Sequence, residues 1–137
     1  MNKVTESQQD LIEEMSFFDD WDDKYDYVIS LGKALPKFPE DKKTPENIIK
    51  GCQSQVWFDS TFENGEVNFI ASSDALIVSG LIGFLLRVYN GATPKEILES
   101  NANFITEIGF GNNLSATRAT GLNAMLNFIY FTAKKYA

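Results

Sequence analysis

The chain is 137 residues long and carries 12 Lys and Arg against 19 Asp and Glu, a net charge of −7, with one cysteine and no histidine. That composition excludes Ser-His-Asp and Cys-His triads, His-ligated zinc or haem, an internal disulfide, and a cluster held by this chain's thiolates alone. With 44% hydrophobic and 13% aromatic residues the chain can bury a core, and residues 1–137 have the length of one domain.

Thr5 to Met15 read as a first helix, with Leu11, Ile12 and Met15 on one face. A second starts near Trp21 and ends at Leu35, before Pro36. Its apolar residues Trp21, Tyr25, Val28, Leu31 and Leu35 recur at helical spacing and form one stripe suited to a core. Asp22, Asp23 and Asp26 lie off that stripe. Pro36 to Asn47, containing Pro36, Pro39 and Pro45, reads as an ordered crossing within the domain.

From Gln55 to Ser72 the period changes to two, interrupted by Asn64-Gly65, a strong hairpin signal that favours a type I′ turn. A two-residue turn there sets Glu63 opposite Glu66, Phe62 opposite Val67, Ser60 opposite Phe69 and Phe58 opposite Ala71. One face then carries Val56, Phe58, Phe62, Val67 and Phe69; the other carries Trp57, Asp59, Thr61, Asn68 and Ile70. A lone hairpin is marginal in water, so Asn47–Lys50 is expected to add a short third strand.

Ser73 is expected to cap the next helix, with Asp74 in its first turn where the dipole favours a carboxylate. This helix runs to Tyr89, closes at Asn90-Gly91 and is apolar nearly all round, the pattern of a central buried helix. Thr93-Pro94-Lys95-Glu96 spells a capping box with proline at the first helical position, opening a short helix through Leu98. Asn101 to Ile108 reads as another short turn. After the loop Gly111-Asn112-Asn113, Ser115 caps a last helix to about Lys135. The predicted class is α+β: a small antiparallel sheet, a hairpin plus a short third strand, covered by helices.

Met1 to Phe18 is polar and acidic, unlike an export signal. The longest uncharged apolar run, Ala75 to Leu86, falls short of the ~20 residues a spanning helix needs. A cytoplasmic protein with a reduced thiol, free of the membrane, is the expectation. Residues 1–46 hold 12 acidic and 6 basic side chains (net −6) and residues 47–137 hold 7 and 6 (net −1). Such an acidic surface repels phosphate backbones and argues against nucleic acid as a partner. The acidic run Asp10–Asp26 reads either as a docking face for a basic partner or as a solvated helical surface.

Chemistry converges on Cys52. It lies in a loop between the proline-rich crossing and the first hairpin strand, where Gly51 lets the backbone turn tightly. Gln53, Ser54 and Gln55 are uncharged hydrogen-bonding residues suited to hold a thiol or a larger sulfur adduct. On the residues alone two readings stand, a reactive loop thiol and a small buried hydrophobe.

Gly51-Cys52-Gln53-Ser54-Gln55-Val56-Trp57 resembles the signature of the SufE family of sulfur-acceptor proteins. The likeness extends through Trp21-Asp22-Asp23-Lys24-Tyr25, Leu31-Gly32 and Leu35-Pro36, then Ser73-Asp74, Ile77-Val78 and Gly80-Leu81. It continues through Thr93-Pro94, Leu114-Ser115, Arg118, Gly121-Leu122 and Ala124-Met125, nearly the whole chain at matching separations. The resemblance implies a SufE/IscU-like α+β fold and a sulfur relay. A SufS-like cysteine desulfurase, which holds the PLP, passes persulfide sulfur to Cys52, and a SufBCD-like iron–sulfur scaffold receives it. No cofactor on this chain is implied, and the oligomeric state is left open.

On their residue types Gly51, Gln53, Ser54 and Gln55 are expected to support the cysteine, and Trp57 to pack rather than take part in chemistry. Asp74 is either a helix-terminal carboxylate or a group that orients the loop or the partner. Arg118, one of two arginines, stands near a helix start where the dipole disfavours a cation. That placement points to a specific partner, either Asp74 or a group on the desulfurase. Two other functions remain: a sister-branch carrier serving a second desulfurase, including tRNA-modification pathways, and a thiol redox enzyme using Cys52. The redox enzyme needs a cation or helix N-terminus to lower the thiol pKa, and Lys50 is the only cation near in sequence. A binding module with the cysteine in its core is the third class.

Overall fold

A computed structural model describes residues 2–137. The order is α1 (Lys3–Ser16), α2 (Trp21–Lys33), β1 (Val56–Glu63), β2 (Glu66–Ser73), α3 (Leu76–Tyr89), α4 (Pro94–Glu99), α5 (Phe104–Ile108), α6 (Phe110–Asn113) and α7 (Ala116–Tyr136). The fold is α+β, with one two-stranded antiparallel sheet among the described residues.

The hairpin has the predicted register at all four pairs, from Glu63↔Glu66 to Phe58↔Ala71. Asn64 (φ 53°) and Gly65 (φ 80°) supply the two left-handed residues that a type I′ turn demands. The expected third strand is reduced to a single bridge between Ile48 and Trp57, with Ile49 N–H donating to the Val56 carbonyl at 2.9 Å. A 3₁₀ turn over Pro45–Asn47 occupies the residues before it and Gly51 turns the chain away after it, so no ladder can lengthen.

The opposite edge of the sheet is closed by the end of α3. Phe69 N–H donates to Asn90 Oδ1 at 2.7 Å, and Asn90 Nδ2 donates to the Phe69 carbonyl at 3.2 Å. Val67 pairs with Gly91 and Ala92 through backbone bonds of 2.9 and 2.8 Å. A side chain and a helix exit thus stand in for a neighbouring strand, which stabilises a hairpin that alone is marginal.

The start of α3 differs from expectation. Ser73 still pairs with Val56 as the last residue of β2, so it is held extended. Two residues, Asp74 and Ala75, make the turn, with Ala75 N–H donating to Ser73 Oγ at 3.2 Å. Helix α3 therefore begins at Leu76 without a side-chain cap, and Asp74 is exposed outside it. The rest of α3 is the central helix: Gly80 to Leu86, Val88 and Tyr89 are buried.

Helix α2 crosses α3 at close range because glycines face it. A Cβ at Gly80 would lie 2.6 Å from the Val28 carbonyl oxygen, one at Gly83 2.6 Å from the Leu31 carbonyl oxygen, and one at Gly32 2.6 Å from Gly80 N. Of the predicted α2 stripe only Val28 is fully buried, while Asp22, Asp23 and Asp26 are exposed as expected. Helix α7 covers the core face of the sheet, with Phe128 against Phe58 (5.4 Å between centroids) and Phe69 (6.3 Å). Phe62, assigned to that face, is 42% exposed beside the hairpin turn, with the ring of Tyr136 stacked on it.

The helix-start chemistry holds elsewhere. Thr93 and Glu96 form the full capping box with Pro94 at the first position, and Glu96 also accepts from Lys3 N–H at 2.8 Å, joining α4 to the start of α1. The segment read as a loop at Gly111-Asn112-Asn113 is instead the single turn α6, where Asn113 Nδ2 donates to the Gly109 carbonyl at 2.8 Å. Among the described residues no helix is long and apolar enough to cross a membrane.

Candidate functional site

The bond from Ile49 N–H to Val56 closes the base of the segment Lys50–Gln55. Within it Gly51 takes φ 96°, a left-handed conformation that side chains resist. That turn lays Gly51 and Cys52 on α7: a Cβ at Gly51 would lie 3.5 Å from Ala124 Cβ, and Cys52 Sγ–H donates to the Gly121 carbonyl at 3.7 Å. The thiol is half-buried. Burial, the one cause acting on it, pushes its pKa above the ordinary thiol value, so at neutral pH it is held as the protonated, weakly nucleophilic form.

Two recesses share the segment Cys52–Ser54. The inner one, a groove of about 600 Å³, lies between this segment and α2, α3 and α7. Ile29, Leu76, Leu122 and Met125 give it an apolar wall, and Ser115, Thr117 and Arg118 add polar groups. The outer one, about 520 Å³, is a more open polar recess that includes Gln55 and Asp74. Cys52 stands in the partition, with Arg118 on one side and Asp74 on the other. Among the described residues no ion pair joins Arg118 to Asp74, so that pairing, one of the two partners read from the sequence for Arg118, is not made.

The structure brings Cys52, Gly51, Gln53, Ser54 and Gln55 together, as their adjacency requires, but the polar trio does not hold the sulfur. Gln53 and Gln55 are exposed, Ser54 is half-buried, and the thiol's hydrogen bond goes to Gly121. The sequence did carry a signal for this contact, a glycine inside a long helix where alanine is favoured. Trp57 is half-buried with Lys43 Nζ 5.2 Å from its ring centre, a packing role. Among the described residues, no three His, Cys, Asp or Glu side chains gather where they could hold a metal ion.

The raised pKa yields a pH dependence. Alkylation of native Cys52 by iodoacetamide should accelerate with pH through a midpoint above that of the same thiol in the denatured chain. A rate measured from about pH 7 to about pH 11, with and without denaturant, checks this; a native midpoint at or below the denatured one would contradict the burial argument.

The family model for SufE, described as an Fe–S metabolism associated domain, matches residues 9–133. An uncharacterised SufE-like protein of Rhizobium etli is 43% identical over 133 residues, covering 93% of this chain and 90% of the relative. A second, from Rhizobium meliloti, is 40% identical over 129 residues, covering 90% and 91%. The solution structure of a hypothetical protein from Thermus thermophilus shares the fold, with a TM-score of 0.79 over 95% of both chains at 18% identity.

Proposed function

The chain belongs to the SufE family, an Fe–S metabolism associated domain, and on that premise we propose that it is a sulfur acceptor working through Cys52. The observation that supports this most is the placement of its one thiol, half-buried on a glycine-turned segment beside an apolar groove. In the proposed step the Cys52 thiolate attacks the terminal sulfur of a persulfide on a SufS-like cysteine desulfurase. A new S–S bond forms on Cys52, the donor's S–S bond breaks, and the donor cysteine leaves as its thiolate. No net oxidation occurs, and the PLP chemistry that generates the persulfide belongs to the desulfurase. The same exchange, run against a SufBCD-like scaffold, delivers the sulfur for cluster assembly.

Among the described residues no base or cation acts on the resting thiol to ionise it, so the partner must supply that environment on docking. The same feature disfavours a peroxidase-type enzyme, whose thiol needs a lowered pKa. Cyanolysable sulfur on Cys52 after incubation with desulfurase and cysteine, seen as the mass of one added sulfur atom and removed by reductant, tests the proposal; a wild-type protein that acquires none overturns it. Comparing stimulation of two desulfurases separates the main reading from the sister-branch carrier.

We assign Arg118 to the donor's approach. It is exposed at the groove and unpaired among the described residues, so it is free to meet a carboxylate or carbonyl on the partner. Arg118→Glu should reduce sulfur uptake by about tenfold, chiefly through a higher KM for the carrier. Steady-state desulfurase kinetics at two salt concentrations read this, and an unchanged KM would remove Arg118 from the interface. Asp74, in the outer recess, is the companion candidate for orienting the loop or the partner.

A further inference from the structure

We infer that Gly121 is the residue that makes room for the second sulfur, a specificity device that rests on the reading of Cys52 as a sulfur acceptor. Gly121 is buried within α7, in helical backbone that does not call for a glycine. Glycine is among the least favourable residues at such a position, and alanine the most favourable. Packing of the thiol form does not call for it either. A Cβ at Gly121 would have three atoms of Cys52 as its nearest neighbours: Sγ at 3.5 Å, Cβ at 3.9 Å and Cα at 4.0 Å. These are ordinary van der Waals distances, so alanine fits against the free cysteine.

The persulfide differs. Its terminal sulfur lies about 2 Å beyond Sγ. It cannot stay on the line to the Gly121 carbonyl, whose oxygen is 3.7 Å from Sγ, and must turn aside into the groove. The groove there is lined by Cys52, Gly121, Leu122 and Met125. A methyl group at 121, 3.5 Å from Sγ, occupies the space beside Sγ that the sulfur would turn into. Gly121 thus leaves the thiol form unaffected and admits the form that carries one more atom. With alanine in its place the terminal sulfur is turned out toward solvent.

The test uses the full chain persulfidated with inorganic polysulfide, which needs no desulfurase, so failure of the acceptor reading appears separately as failure of enzymatic loading. Cyanide then removes the terminal sulfur as thiocyanate and returns the Cys52 thiol. Gly121→Ala in the thiol form should melt no lower than wild type, yet release its sulfur to cyanide about tenfold faster once loaded. Gly111→Ala, whose added Cβ would meet nothing within 4 Å, should release at the wild-type rate. Equal release from wild type and Gly121→Ala overturns the inference. So does a lowered melting temperature for the Gly121→Ala thiol form, or release from Gly111→Ala as fast as from Gly121→Ala.

Discussion

Cys52→Ser is expected to abolish sulfur uptake and the stimulation of desulfurase turnover that depends on it, leaving only the desulfurase's own background rate. A serine hydroxyl stays protonated across the accessible pH range and is a poor nucleophile toward sulfur, so no slower version of the exchange remains. Folding should survive the change. The thiol is half-buried and makes one long hydrogen bond, which a serine can replace or lose to solvent at small cost. The variant should therefore still compete with wild type for the desulfurase, because the groove and Arg118 are intact. Intact-mass analysis after incubation with desulfurase and cysteine, paired with a competition assay, reads both outcomes. An equal reducible adduct on the Cys52→Ser protein would sink the assignment of the acceptor atom.

Gly80→Ala should destabilise the fold by about 2 kcal/mol, although alanine is the better helix former by about 1 kcal/mol. The added Cβ would lie 2.6 Å from the Val28 carbonyl oxygen, 2.8 Å from Val28 Cγ1 and 2.9 Å from the Val28 carbonyl carbon. Two of those three atoms are backbone, so no rotamer change relieves the contact and α2 must move away from α3. The displacement would reach the site, since Ile29, the next residue on α2, lines the inner groove. Urea titrations of wild type and variant measure the loss. A Gly80→Ala protein at least as stable as wild type would show that the crossing can open without cost.

Much of this architecture was readable where one local rule decided the outcome. Asn64-Gly65 specifies a turn of fixed length, and that length sets the pairing of eight residues on each strand. Thr93-Pro94-Lys95-Glu96 is equally self-sufficient as a helix start, since the bonds of the capping box itself are made within one helical turn. Misreadings arose where a distant contact outweighed a local preference. Ser73 has the chemistry of a helix cap, but its pairing with Val56 keeps it in the strand and leaves Asp74 outside the helix. Asn47–Lys50 lacks the length for a strand because Pro45 and Gly51 bend the chain at both ends. At the candidate site the cysteine was legible from its loop. Its contact with Gly121, 69 residues away, depends on how α7 lies across that loop, which no spacing in the chain encodes.

The hydrogen bond from Ile49 to Val56 sets a limit on delivery. While it holds, Cys52 is tethered three residues from a fixed point, and a fully extended chain of that length reaches about 10 Å. The sulfur can swing on this leash but cannot travel, so it cannot cross a gap between two separated surfaces. A sulfur donor and a sulfur acceptor, as proposed above, would each have to bring their reacting group into the same small sphere around Ile49. On the proposed sulfur-acceptor function their turns there would exclude one another, and the chain would leave one partner before serving the next.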